Sequence, residues 1–201
     1  PIRTDFITEK NRDAIREEYG IPKHKPVALV IAGGAGGKKA LSYAREIGEN
    51  QYGLHLIVCA GKNKKLAQDL RKIKLHPSNT MTVMEFTTKI SDLMAVADLL
   101  ITKPGSGTFH EAMLMRLPIL ADATTSVLSW EKTNIDLIKQ YGIGDSVDNF
   151  KQLEYLLRLF LFDTEKQKEV RESYRKIPEN RFNESIISLV SSMCEDHETS
   201  S

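Results

Sequence analysis

Short, nearly continuous apolar runs alternate with longer polar or amphipathic stretches along the chain. The runs are VALVIA (residues 27–32), LHLIVC (54–59), MTVMEF (81–86), LLIT (99–102) and PILA (118–121). Apolar strands without polar alternation are typical of a parallel sheet buried on both faces, and each intervening stretch is long enough for a helix. The pattern therefore predicts an α/β fold, a Rossmann-like doubly wound parallel sheet.

Helical periodicity flanks this alternation on both sides. Glu9 to Tyr19 is a polar helical stretch that ends at Gly20 and Pro22. From Lys151 onward, apolar residues recur at helical spacing, which indicates packed C-terminal helices. They form two stripes: Leu153, Leu156, Leu157, Phe160 and Leu161, then Ile186, Ile187, Val190 and Met193. We expect an α/β domain over residues 9–150, C-terminal helices over 151–194 and a disordered tail over 195–201.

Composition narrows the class of protein. A formal net charge of +1 argues against a nucleic-acid partner. Cys59 and Cys194 have no partner at metal-ligand spacing, which favours a reducing compartment, the cytoplasm. No apolar run approaches the roughly 20 residues that span a bilayer, and the first residues do not resemble a signal peptide. The chain opens at Pro1 without a methionine, and we expect further residues upstream.

A glycine-rich segment follows the first apolar run. Gly33, Gly34, Gly36 and Gly37 precede a helix expected from about residue 38. Glycines there allow a ligand to approach the backbone, and free amides at a helix start favour an anion. The segment matches neither a P-loop, which needs Ser or Thr where Lys39 stands, nor the dinucleotide G-x-G-x-x-G spacing. A plain strand-to-helix turn is the alternative.

The segment LLITKPGSGTFHEA (99–112) carries a second such turn. Gly105 and Gly107 give the backbone more conformational freedom. We expect Ser106 or Thr108 to cap a helix that begins near Phe109. Amides, hydroxyls and the positive end of the helix dipole would then converge where a phosphate can lie. This turn is the stronger candidate for an anion site.

Glu111 follows on the same helix and admits two interpretations. Its carboxylate can accept two hydrogen bonds from a sugar diol. Alternatively, Thr108 and Glu111 form a capping box, because Thr-x-x-Glu is the signature of that motif. The sequence alone favours neither interpretation of Glu111.

Three segments together resemble a known family: IAGGAGG (31–37), CAGKNKKL (59–66) and ITKPGSGTFHEAMLMRLPIL (101–120). They are similar to the UDP-sugar-binding C-terminal half of GT-B glycosyltransferases that make glycolipids, namely monogalactosyldiacylglycerol synthase and the bacterial diacylglycerol glucosyltransferases. The lipid I N-acetylglucosaminyltransferase is a more distant resemblance. Residues 9–150 would accordingly be a nucleotide-sugar-binding domain, and residues 1–8 a linker from a preceding N-terminal domain.

The resemblance implies a role for each loop. The turn of Gly105, Ser106, Gly107 and Thr108 would hold the donor diphosphate, and Glu111 the ribose hydroxyls. Phe86 and Thr87, after the third strand, would receive uracil through backbone groups. The glycine-rich segment would lie over the cleft, close to the phosphates and the transferred sugar.

The segment expected to contact the donor sugar departs from the family pattern. Relatives carry Gly-Gln-Glu-x-x-Asn, and Glu131 and Asn134 match it, but Trp130 replaces the glutamine. Because an indole can stack on a sugar but accepts no hydrogen bond, the identity of the sugar stays open. Alternatively, Glu131 is an acid complementing the helix dipole in a helix capped by Ser129.

Other polar residues carry less weight. Lys62, Lys64 and Lys65 are expected to be solvated surface. His110 has no partner at nucleophile or metal spacing, and no Asp-x-Asp pair is present. We therefore expect neither a metal nor a cofactor besides the UDP-sugar, which is a substrate.

The resemblance implies a hexosyltransferase that transfers a sugar from UDP to a lipid such as diacylglycerol. The general base and the acceptor pocket would belong to the N-terminal domain, so the isolated chain would be inactive. The full protein would be cytoplasmic and peripheral at the membrane. Two alternatives stay open: a separate donor-binding subunit that needs a membrane-bound partner, and a UDP-sugar epimerase or other nucleotide-binding module.

Overall fold

A single parallel sheet forms the centre of the molecule. The computed structural model describes residues 4–32 and 37–177, and its six strands lie in the order β3-β2-β1-β4-β5-β6. The strands are β1 (Val27–Ile31), β2 (His55–Gly61), β3 (Thr80–Glu85), β4 (Leu99–Thr102), β5 (Ile119–Asp122) and β6 (Gly144–Val147). All neighbouring strands pair in parallel, so the predicted Rossmann-like parallel sheet is confirmed.

Helices connect successive strands and cover the sheet. They are α1 (Arg12–Glu18), α2 (Gly37–Glu49), α3 (Lys64–Arg71), α4 (Ile90–Val96), α5 (Ser106–Leu114), α6 (Ser129–Tyr141), α7 (Phe150–Leu161) and α8 (Thr164–Lys176). A 3-10 turn, Thr4–Phe6, precedes them. Phe6 is buried, and the Ser91 hydroxyl donates to Asp5 at 2.9 Å, so the segment expected to be a linker packs against α4.

The core follows the hydrophobic pattern. Every residue of β4 and β5 is buried, as are four of the five residues of β1, which explains their apolar sequences. The first predicted stripe, beginning at Leu153, is buried on α7. The second stripe, beginning at Ile186, and the tail lie outside the described residues.

Three elements differ from the prediction. The strand β6 has no apolar run, and the hydrophobic pattern does not predict it. The helix α5 begins at Ser106 rather than near Phe109, and α1 begins at Arg12 rather than at Glu9. Asn11 caps α1, since its side chain accepts a hydrogen bond from the Ala14 amide, and this cap fixes the later start.

Ionic contacts and hydrogen bonds join α1 to the amino ends of the strands. The Asp98 carboxylate, directly before β4, accepts hydrogen bonds from Arg12 at 2.6 Å and from the Val27 amide at 2.8 Å. Arg16 is buried, donates to the carbonyls of Pro22, Lys23 and Lys25, and lies 3.6 Å from Asp98. These contacts stabilise the edge of the sheet where the strands begin, opposite the loops at their carboxyl ends.

Candidate functional site

The strand order fixes where a ligand can bind. The chain runs outward from β1 to β3 on one side and from β4 to β6 on the other, so the order reverses between β1 and β4. In open α/β sheets, ligands occupy the crevice beyond the carboxyl ends of the strands at this reversal. The segments bordering it follow β1 and β4. The predicted ligand residues Gly33, Gly34 and Gly36 lie outside the described residues, and Gly37 is the first residue of α2.

The turn after β4 ends in a helix whose first amides are available to a ligand. Gly105 is the N-cap of α5, with extended backbone angles (φ −72°, ψ 144°), and no side chain caps this end. The first hydrogen bond of the helix runs from the Phe109 amide to the Gly105 carbonyl at 3.2 Å. The amides of Ser106, Gly107 and Thr108 precede that bond and point out of the helix end.

This geometry corrects the predicted cap. Neither Ser106 nor Thr108 caps α5, because both lie within its first turn, after Gly105. A glycine N-cap has no side-chain oxygen to place over the amides, and the helix end therefore stays open to an anion.

The two glycines border open space. A Cβ added at Gly105 or Gly107 would meet no heavy atom within 4 Å, and neither residue adopts the left-handed conformation. The backbone itself does not require glycine at these positions. Their effect is to leave room in front of the helix end, where a bound group can approach the amides.

Glu111 lies four residues after Gly107 and is half-buried. Residues four apart share one face of a helix, and helical side chains lean toward the amino end. Glu111 therefore leaves α5 on the same face as Gly107, with its Cα–Cβ bond tilted toward the amino end. The alternative capping box with Thr108 is wrong, because the N-cap is Gly105. The neighbouring His110 ring donates to the Ser106 carbonyl at 2.5 Å.

A buried polar network beneath the crevice was not predicted. Asp122, at the end of β5, accepts hydrogen bonds through Oδ1 from the Tyr43 hydroxyl at 2.9 Å and the Thr124 hydroxyl at 2.6 Å. The Lys39 ammonium in turn donates to the Thr124 hydroxyl. Burial, and then the Asp122 charge, raises the pKa of Tyr43, so its hydroxyl stays a donor.

The network holds the side chain of Lys39 between α2 and the end of β5. A small cavity beside it is lined by Tyr43, Asp122, Thr102 and Lys103, at the carboxyl ends of the central strands. The sequence contains two features that could have predicted this arrangement. Lys39 and Tyr43 are four residues apart on one helix, and Asp122 directly follows the apolar run PILA.

The loop after β3 exposes an aromatic ring. Phe86 has 62% of its surface exposed, and the Lys62 ammonium lies 5.0 Å from the ring centroid. The adjacent Thr87 accepts a hydrogen bond from the Lys89 amide at 3.0 Å through its hydroxyl. Lys62, Lys64 and Lys65 are exposed, as predicted.

The start of α6 carries the residues expected to contact a sugar. Leu128 is the N-cap, so the prediction of Ser129 as the cap is wrong. Glu131 accepts a hydrogen bond from the Leu128 amide at 3.2 Å, and Trp130 is 71% exposed. Asn134 instead is buried, and its Nδ2 donates to the Pro104 carbonyl at 2.8 Å. Asn134 therefore contacts the turn before α5.

Within the described ranges, no group of three or more His, Cys, Asp or Glu side chains is arranged to hold a metal ion. The helices of that part of the chain are also too short or too polar to cross a bilayer.

Comparison with known proteins agrees with this architecture. Residues 28–121 match the model of the glycosyltransferase family 28 C-terminal domain. The chain is 32% identical to the chloroplastic monogalactosyldiacylglycerol synthase of Spinacia oleracea, over 76% of this chain and 30% of that protein. It is 27% identical to the processive diacylglycerol beta-glucosyltransferase of Bacillus licheniformis, over 93% of this chain and 48% of that protein.

Among solved structures, MurG of Acinetobacter baumannii has the same fold. The TM-score is 0.69 at 18% identity, and the match covers 93% of this chain and 55% of MurG. The chain thus spans about half or less of the length of the curated relatives named above.

Proposed function

We propose that this chain, whose residues 28–121 match the glycosyltransferase family 28 C-terminal domain, binds the donor of a UDP-sugar-dependent hexosyltransferase. The acceptor we propose is a lipid such as diacylglycerol, because two similar proteins are named for diacylglycerol products or substrates. The complete enzyme would meet that lipid at a membrane surface.

The observation that carries this proposal is the amino end of α5. It lies beside the reversal point of the sheet, has no side-chain cap and is bordered by open space. A diphosphate bound there would accept hydrogen bonds from the amides of Ser106, Gly107 and Thr108. Glu111, on the same face of α5 as Gly107, would accept hydrogen bonds from the ribose diol.

The neighbouring loops complete a donor site. The backbone after β3, at Phe86 and Thr87, would contact the uracil, and Trp130 with Glu131 would contact the hexose. Lys39 and Lys103 would supply positive charge near the phosphates without a metal ion. Fixed charges and dipoles of this kind stabilise a leaving group most effectively when they are held in place before the reaction.

In the reaction we propose, an acceptor hydroxyl attacks the anomeric carbon of the hexose. The bond from that carbon to the β-phosphate oxygen breaks, and UDP departs with the bonding electron pair toward the amino end of α5. The proton of the acceptor hydroxyl passes to a base on a different domain. This chain would therefore bind the donor without transferring its sugar.

A binding and transfer assay tests this division of labour. The purified chain is titrated calorimetrically with UDP-glucose, UDP-galactose and UDP-N-acetylglucosamine, and then incubated with each radiolabelled donor and diacylglycerol vesicles. We expect binding of at least one donor and no labelled lipid, because holding and deprotonating the acceptor can be worth about 7 to 11 kcal/mol of barrier. A labelled glycolipid would show that the chain is catalytically complete.

A further inference from the structure

Asn134 connects two loops of the candidate site. Its side chain lies on α6, is only 9% exposed, and donates through Nδ2 to the carbonyl of Pro104 at 2.8 Å. Pro104 is itself buried and directly precedes Gly105, the N-cap of α5. The bond thus crosses from the sugar-side helix to the turn that leads into the open helix end.

The bond fixes the plane of one peptide group. A trans peptide is planar, so its N–H points away from its carbonyl oxygen. With the Pro104 oxygen held toward Asn134, the Gly105 N–H is directed away from α6. The proline ring fixes φ at Pro104, which leaves this turn little freedom to rotate. This peptide directly precedes the N-cap residue, so its plane sets the direction from which the chain enters α5.

Other residues of α6 differ from Asn134 in burial. Trp130 is 71% exposed and Glu131 is partly exposed, so both can reach a bound sugar. Asn134 lies about one turn further along the helix, and at least one of its two donor hydrogens is used by Pro104. Its position suits the support of the turn better than contact with a ligand.

We infer that Asn134 is a positioning residue that orients the α5 amides toward the diphosphate, an inference that rests on the proposed function. Loss of its amide would weaken binding of the diphosphate itself. It would therefore affect UDP and a UDP-sugar by the same factor. A residue that contacts only the hexose would leave UDP binding unchanged.

The test compares Asn134→Leu, which removes the donor at similar size, with the wild-type chain. Calorimetry with UDP and with UDP-glucose should show the same loss for both, about fivefold to tenfold, the usual effect of one lost hydrogen bond. Glu131→Gln keeps an oxygen for the Leu128 amide and should weaken UDP-glucose alone. Asn149→Ala, at an exposed N-cap without a side-chain bond, is the matched control and should change neither affinity.

Hydrogen exchange in the absence of nucleotide gives a second readout. We expect faster exchange of the Phe109 amide, which donates to the Gly105 carbonyl, in Asn134→Leu, at a temperature where thermal unfolding shows both proteins folded. Asn134→Ala replaces this variant if leucine prevents folding.

The possible outcomes separate the two proposals. Unchanged UDP affinity, with or without a loss for UDP-glucose, would overturn the positioning role, as would unchanged exchange at the turn. If the wild-type chain binds no UDP while exchange in the variant rises, the proposed ligand is wrong and Asn134 still orients the turn.

Discussion

The interpretation of Glu111 depends on where its helix begins. The pattern Thr-x-x-Glu describes a capping box only when the threonine is the N-cap, and here Gly105 takes that position. Thr108 lies within the first turn, so Glu111 falls in the second turn, one helical repeat after Gly107. The capping box with Thr108, the alternative that the sequence left open, is thereby excluded.

Replacing Glu111 with glutamine tests its proposed contact with ribose. Glu111→Gln keeps the shape of the side chain but removes its charge, and we expect UDP binding to weaken by about 1 to 3 kcal/mol. Calorimetry measures the affinity, and a thermal melt confirms that the variant is folded. An affinity equal to that of the wild type would exclude the carboxylate from the nucleotide site.

His55 is a buried histidine whose role is structural. Its ring nitrogens lie 2.8 Å from the Thr80 hydroxyl and 3.1 Å from the Thr82 hydroxyl. Burial, and then the positive charges of Lys25 and Arg16, lowers its pKa to about 4 from an ordinary 6.5. The ring is therefore neutral in the folded protein at neutral pH.

This shift makes the stability of the fold depend on pH. Between pH 6.5 and 4 the unfolded chain binds a proton that the folded chain excludes, so the stabilisation is complete above pH 6.5 and is lost as the pH falls. His55 should account for about 3 kcal/mol of the loss from pH 7 to pH 4. Urea unfolding at several pH values should give a shallower dependence for His55→Gln. Parallel curves for the two proteins would contradict this assignment.

At the scale of elements, β6 shows what hydrophobic pattern alone misses. Its residues, Gly144 to Val147, include Asp145 and Ser146, which interrupt any apolar run, and β6 is the last strand of the sheet and pairs only with β5. Position 144 requires glycine because the neighbouring atoms leave no room for a side chain. A Cβ there would lie 1.9 Å from the Ile119 carbonyl oxygen and 2.6 Å from Ile138 Cγ2.

Gly144→Ala should therefore be severely destabilising. The added methyl group meets backbone, which cannot move aside as a side chain can, and we expect a loss of about 3 kcal/mol or more in the free energy of unfolding. Gly105→Ala is the matched control, since its Cβ would enter open space at φ −72°, and should cost less than about 1 kcal/mol. Equal denaturation midpoints for the two variants would refute the packing argument.

The strands that the sequence pattern predicted are those with continuous apolar runs. VALVI and LLIT read as strands because both faces of these strands are covered. The start of α5 was misplaced because Ser106 and Thr108 are good cap residues by type, whereas the extended backbone at Gly105 sets the boundary. The Asp122 network was missed since it joins α2 to β5, and such contacts depend on the packed sheet.

At the scale of the whole molecule, the strand order explains why strands far apart along the chain end side by side. The loops after β1 and β4 are far apart along the chain, but these strands are hydrogen-bonded neighbours. Parallel pairing brings the carboxyl ends of both to one edge, where α5 begins and Lys39 is held. The motifs could be located from the sequence, whereas the contact of Asn134 with Pro104 required the packing of α6 against α5.

Nucleotide selectivity of the purified chain tests the central claim most directly. In competition calorimetry we expect UDP to bind more tightly than ADP or GDP, because the proposed diphosphate and ribose contacts would be common to all three and the loop after β3 would discriminate between the bases. Tighter binding of ADP or GDP than of UDP, or no binding of any nucleoside diphosphate by the folded chain, would contradict the assignment of this domain to a UDP-sugar donor.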